Sequence, residues 1–116
     1  NNNFFTTDGA VTFFDFDLCG YGWRVYDIAM FIWSMRQIQA PAELGETFVA
    51  GYQSRRPLSS AELAAIPSFV AMVQIFMMGF HADCTDWAGR AFLNGSYWEN
   101  GFGLLQSLAQ EGEAIR

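Results

Sequence analysis

Asp8-Gly9 stands between two short runs, 3–7 and 10–16, that are rich in Phe, Thr and Val. An Asp-Gly pair flanked by such runs is the strongest short-range signal for a β-hairpin, because glycine accepts the positive φ of a tight turn. Beyond Trp23 nearly every segment carries helical periodicity instead. The chain is therefore expected to be mainly α with a short N-terminal β-hairpin, an α+β arrangement within one domain. An isolated two-stranded hairpin is only marginally stable, so it is expected to pack on the helices that follow.

The second run, Thr12-Phe13-Phe14-Asp15-Phe16-Asp17, ends in two carboxylates and enters a Gly-rich turn, Leu18-Cys19-Gly20-Tyr21-Gly22-Trp23. On an extended strand Val11, Phe13, Asp15 and Asp17 share one face, and Thr12, Phe14 and Phe16 the other. Two acids on an apolar face are costly to bury unless something pairs or ligates them. A strand that delivers hard oxygen ligands into a turn suits Mg²⁺ held against a nucleotide phosphate. The plainer alternative ends the strand at Asp15 and leaves both acids in solvent. Asn1, Asn2 and Asn3 precede the first strand, and an amide carbonyl there could serve as a second oxygen ligand. A solvated loop is the alternative.

Val25, Ile28, Ala29, Ile32 and Met35 fall at helical spacing, with Tyr26, Met30, Phe31 and Trp33 on other faces, which predicts a central, buried helix. Asp27 in its first turn either complements the helix macrodipole or serves as a buried carboxylate holding a neighbouring loop. A second helix is expected over about 42–55, and Pro57 breaks the chain after it. Ser59-x-x-Glu62 fits a capping box opening a short helix that Pro67 interrupts. Helical spacing resumes at Phe69, Val70, Val73, Phe76, Met77 and Phe80. A last helix carries Tyr97, Leu104, Leu105 and Leu108.

The net charge of −6 argues against a nucleic-acid or anionic-membrane partner. All six basic residues are arginines, so a step that needs lysine cannot be completed within these 116 residues. Cys19 and Cys84 form no metal-binding spacing, and a reduced, cytoplasmic setting is the simpler expectation. No signal peptide is read at the start, and the chain reads as a piece of something longer. The run 69–80 is interrupted by Gln74 and falls short of the roughly 20 residues that cross a bilayer. His81-Ala82-Asp83 sits at the end of an apolar helix, where a lone histidine is ordinarily structural. Gly20-Tyr21-Gly22 is too short a fragment for a dinucleotide fingerprint.

Taken in order over 3–33, the chain has an asparagine, a short strand, an Asp-Gly turn, and a strand ending Asp-Phe-Asp. A Gly-rich turn and Tyr26-Asp27-Ile28-Ala29 on an apolar helix follow. This order resembles the aminoglycoside phosphotransferase and choline kinase superfamily, which has the protein-kinase-like fold. The nearest likeness is to the branch with bacterial stress-response kinases and type II homoserine kinases. The resemblance implies the helical C-terminal lobe of that fold, with a metal-binding hairpin at 1–18 and a helical subdomain at 19–116. It implies Asp15 as the metal-binding aspartate, Asn3 or Asn2 as the asparagine that binds a second metal, and Asp17 as a further acid. Asp27 corresponds to the acid that anchors the catalytic loop.

The family's His-Gly-Asp segment, expected just before Asn1, is not in this chain, nor are the nucleotide-clamping lysine and the N-terminal lobe. The expectation is a part of an enzyme that uses ATP and Mg²⁺ to phosphorylate a hydroxyl-bearing acceptor, inactive as this fragment. Glu43, Glu46, Asp83, Asp86 and Glu99 would suit an amine-bearing, cationic acceptor. The alternative is a non-catalytic helical scaffold, a pseudokinase remnant.

Overall fold

The computed structural model describes residues 3–16, 19–85 and 89–114. Two strands, β1 (Asn3–Phe5) and β2 (Val11–Phe13), form an antiparallel pair in which Asn3 faces Phe13, Phe4 faces Thr12 and Phe5 faces Val11. Four helices follow: α1 (Arg24–Gln37), α2 (Ala42–Arg55), α3 (Ser60–Asp83) and α4 (Gly95–Ala114). This is the mainly helical architecture expected for the helical lobe of a kinase-like fold.

The hairpin turn forms where Asp8-Gly9 predicts it, with a longer loop than the dipeptide alone requires. The Gly9 N–H donates to the Thr6 carbonyl and the Thr6 N–H to the Ala10 carbonyl, both at 3.0 Å. Gly9 has φ +79° while Asp8 keeps a negative φ, so the connection is a three-residue loop closed by a left-handed glycine. The Asp8 carboxylate accepts the Ala10 N–H at 3.0 Å and the Thr6 hydroxyl. These bonds hold its acid below the usual carboxylate range, the Thr6 hydroxyl contributing most.

The hairpin does not pack on the helices as expected. Among the described elements β1 and β2 approach only each other. Val11, Phe13, Phe14 and Phe16 remain exposed. Met72, Ile75, Phe76 and Phe102 on the helices are exposed as well.

α3 is the central helix, packed between α1 and α4. Ala29, Val70, Val73 and Leu108 form the sealed cluster where the three meet, and Ile28 is also fully buried. α1, expected to be central, also packs on two neighbours, α2 and α3, and buries Val25, Ile28 and Ala29. Pro67 does not interrupt α3. It removes one N–H from a 24-residue helix, and burial on both neighbouring helices outweighs that loss. This continuity also corrects the length argument against a membrane span. Ser60–Asp83 is long and apolar enough to cross a bilayer, although here Val70, Val73, Gln74 and Met78 are buried within the protein.

Local chemistry sets the helix ends. Ser59 and Glu62 form the capping box as read from the sequence. α4 is capped by Asn94, whose side-chain carbonyl accepts the Tyr97 N–H at 3.0 Å. α1 ends with the Ala40 N–H donating to the Met35 carbonyl and the Gln39 N–H to that of Arg36. Gln39 takes the left-handed position of this motif, φ +52°, where glycine is usual. α2 buries no residue and, among the described elements, packs on α1, through the stacked rings of Phe31 and Phe48, whose centroids lie 3.9 Å apart.

Candidate phosphotransfer site

The hairpin delivers Asp15 two residues beyond the end of β2, and this segment is not extended. Asp15 has φ +63°, which breaks strand alternation, so the shared face expected for Val11, Phe13 and Asp15 ends at Phe13. A left-handed aspartate is uncommon, and such conformations concentrate at functional sites. The residue is exposed, so it bears no burial penalty. β1 begins opposite the end of β2, with Asn3 paired to Phe13, which puts its backbone on the rung nearest Asp15. Asp17, Asn1 and Asn2 lie outside the described residues.

Beyond the Asp15 turn, the Cys19 N–H donates to the Phe16 carbonyl at 2.9 Å and the chain runs to Trp23. The Trp23 ring meets Phe69 edge-on at 5.8 Å, although much of the side chain stays exposed. Arg24 then clasps the starts of two helices. Its Nη2 and Nε donate to Glu62 Oε1 at 2.6 and 3.0 Å, and its Nη1 to the Pro57 carbonyl at 3.2 Å. Glu62 Oε2 meanwhile accepts the Ser59 N–H at 2.8 Å. The Glu62 acid is held below its usual range, first by the Ser59 N–H, then by the Ser59 hydroxyl and by Arg24. One carboxylate thus caps α3 and ties it to α1 at the end where the hairpin joins. The capping role was legible in Ser59-x-x-Glu62; the Arg24 partner, 38 positions away, left no local signal.

Asp27 lies in the first turn of α1 and is exposed, which corrects the reading of a buried carboxylate and agrees with the macrodipole reading. No group of three or more His, Cys, Asp or Glu side chains converges among the described residues. The described carboxylate at the hairpin end is Asp15, and Mg²⁺ bound with a nucleotide takes one or two carboxylates and completes its shell with phosphate oxygens and waters. The described carboxylates do not fit a metal cage built from this segment alone.

The acids considered for a cationic acceptor do not converge. Glu43 and Glu46 lie on α2, Asp83 ends α3 and Glu99 lies on α4, all exposed, while Asp86 is outside the described residues. Glu46 lines an open groove of about 810 Å³ beside Ile32, Val49 and Leu104. His81 does not form a pair with Asp83. Its Nδ1 shares a 2.7 Å hydrogen bond with the Tyr97 hydroxyl, and its ring packs among Phe80, Phe92 and Tyr97.

Residues 1–64, which carry the hairpin, Asp15, Asp27 and the capping box, match the phosphotransferase enzyme family. The chain belongs to that family. The assignment agrees with the kinase-like superfamily that the order of motifs over 3–33 implies. The chain is 38% identical over 104 residues to an uncharacterized protein of Deinococcus radiodurans, covering 86% of this chain. It is 31% identical over 107 residues to an uncharacterized protein of Synechocystis, covering 92% of this chain. The matched region spans 30% of the length of each relative. No solved structure matches the chain.

Proposed function

We propose that this chain is part of an ATP-dependent phosphotransferase that moves a γ-phosphoryl group to a hydroxyl of a small molecule or protein. The observation that carries the reading is the left-handed, exposed Asp15 at the mouth of a hairpin within the segment that matches the family. The branch containing stress-response kinases and type II homoserine kinases is the one whose motif order the chain follows most nearly. Two free cysteines, Cys19 and Cys84, are in keeping with a reducing, cytoplasmic setting.

In this reading Asp15 and Asn3 would hold Mg²⁺, with Asp17 beside them. When bound, the ion would offset negative charge on the transferring phosphoryl group. Asp15 would contribute a carboxylate oxygen there. The Arg24–Glu62 clasp holds the starts of α1 and α3 together beneath the turn, and Asp27 would orient the catalytic loop that precedes the hairpin. The acceptor proton would go to an aspartate of that preceding loop, and the fragment alone would be inactive. The coding sequence ahead of Asn1 is therefore expected to carry His-Gly-Asp within about ten residues of Asn3, as a short loop joins base to metal ligand.

The test is Asp15→Asn in the full-length protein. Turnover should fall at least about a hundredfold while the melting temperature barely moves, since an exposed acid contributes little to the fold. Near-normal turnover, or a coding sequence without the upstream aspartate, would overturn the reading and favour a non-catalytic helical module.

A further inference from the structure

Gln74 lies in the middle of the most apolar helix and is only 4% exposed. Its Oε1 accepts the Trp33 indole N–H at 2.6 Å and the Gln37 amide at 3.2 Å. An indole N–H can only donate, so it fixes the orientation of the Gln74 amide and turns Nε2 the other way. Nε2 has no hydrogen-bond partner among the described residues. No described buried polar side-chain atom is both sealed off and unpaired, so this amide opens to the adjoining cavity.

That cavity measures about 320 Å³ and is lined by Trp33, Gln37, Gln74, His81, Tyr97 and Asn100. The wall holds amide donors and acceptors, a phenol, an imidazole and the Trp33 indole, and among the described residues no Asp, Glu or Arg lines it. A hydroxyl group both donates and accepts, so several hydroxyls on one ring complement such a wall better than an ion does. The volume is at the lower end of small-molecule pockets. No described hairpin residue lines the cavity. Trp33 lies nine residues beyond Arg24 on α1, roughly 13 Å along the helix axis.

We propose that the cavity between α1, α3 and α4 is a binding site for a neutral, polyhydroxylated ring of monosaccharide or cyclitol size. The apolar face of the ring would lie against Trp33, and its hydroxyls would meet Gln74 Nε2, Asn100 and the His81–Tyr97 pair. The proposal stands independently of phosphoryl transfer.

Calorimetric titration of the full-length protein tests it, with D-glucose, D-galactose and myo-inositol as probes and adenosine as a flat, base-bearing comparator. At least one polyol should bind saturably in the millimolar range or tighter. Tyr97→Phe and Asn100→Ala should each weaken it by roughly fivefold, the scale of one lost hydrogen bond. Asn100 is an exposed rim residue, so its variant keeps the fold even if Tyr97→Phe disturbs the His81 contact. No saturable binding of any polyol would overturn the proposal. So would tighter binding of adenosine than of the polyols, or polyol binding that neither substitution weakens.

Discussion

Two apolar regions of this chain meet opposite fates. Phe13, Phe14 and Phe16 belong to the hairpin arm, and their exposures run from 46% to 63%. Ile28, Val70 and Val73 belong to the helices and are sealed to 1% or less. The difference is in how the elements pack and not in residue type. α3 packs on both α1 and α4, whereas among the described elements the two strands pair only with each other. The family assignment rests on the region that includes this uncovered arm, and the relatives are more than three times longer than the matched region.

The comparison breaks most readily at Ile28. It is fully buried, so Ile28→Ala should cost about 2–5 kcal/mol through lost transfer energy and the cavity left behind. Denaturant titration of the variant checks this. A cost below about 1 kcal/mol would show that the helices are no better packed than the hairpin.

Gly101 sharpens the helical side. A Cβ there would lie 2.9 Å from Gln74 Nε2 and 3.0 Å from Met78 Sδ, so α4 approaches α3 only because this side chain is absent. Met78 is flexible and can yield, but Gln74 is pinned by Trp33 and Gln37. Gly101→Ala should therefore destabilise by about 1–3 kcal/mol, as overpacking does, despite the better helix propensity of alanine. A rise in melting temperature would mean that the interface relaxes freely.

Phe13 tests the other side. In the 116-residue chain Phe13→Ala should change stability by no more than about 0.5 kcal/mol, because the side chain is 63% exposed. In the full-length protein the same substitution should cost distinctly more if the remaining sequence covers the hairpin. Equal effects in both contexts, read from parallel thermal melts, would show that the arm stays uncovered.

Much of the helical side was legible because its determinants are local. The spacing of Val25, Ile28 and Ala29, the span of α2 and the Ser59–Glu62 box each lie within a few turns. Pro67 misled because a local breaker was set against burial on two neighbours, which no window of sequence contains. Gln74 read only as an interruption of an apolar run. Its meaning lies in Trp33, 41 positions away. Asp15 was legible as a strand-end acid, but its left-handed backbone was not, since nothing in Phe14-Asp15-Phe16 demands it.

The smallest effect concerns the ion pairs that frame the helices. Glu62 is held low by Ser59 and Arg24. Glu111 is held low chiefly by Arg36, whose Nη1 and Nη2 donate to it at 3.2 and 3.1 Å. Carboxyls lowered in the folded state stabilise above their unfolded value, about 4.3, and that contribution disappears as pH falls through the folded value. Glu62→Gln with Glu111→Gln should therefore lower the melting temperature modestly at pH 7 and flatten its decline between about pH 5 and 3. Both pairs are partly exposed, so salt should shrink the difference at pH 7. The hairpin carboxylate Asp8 is also lowered, by Thr6 and the Ala10 N–H, but those bonds close its own turn. Asp8→Asn should leave the acid limb of the helical transition in place. If it removes that limb while the double glutamine variant keeps it, the acid sensitivity belongs to the arm and not to the core.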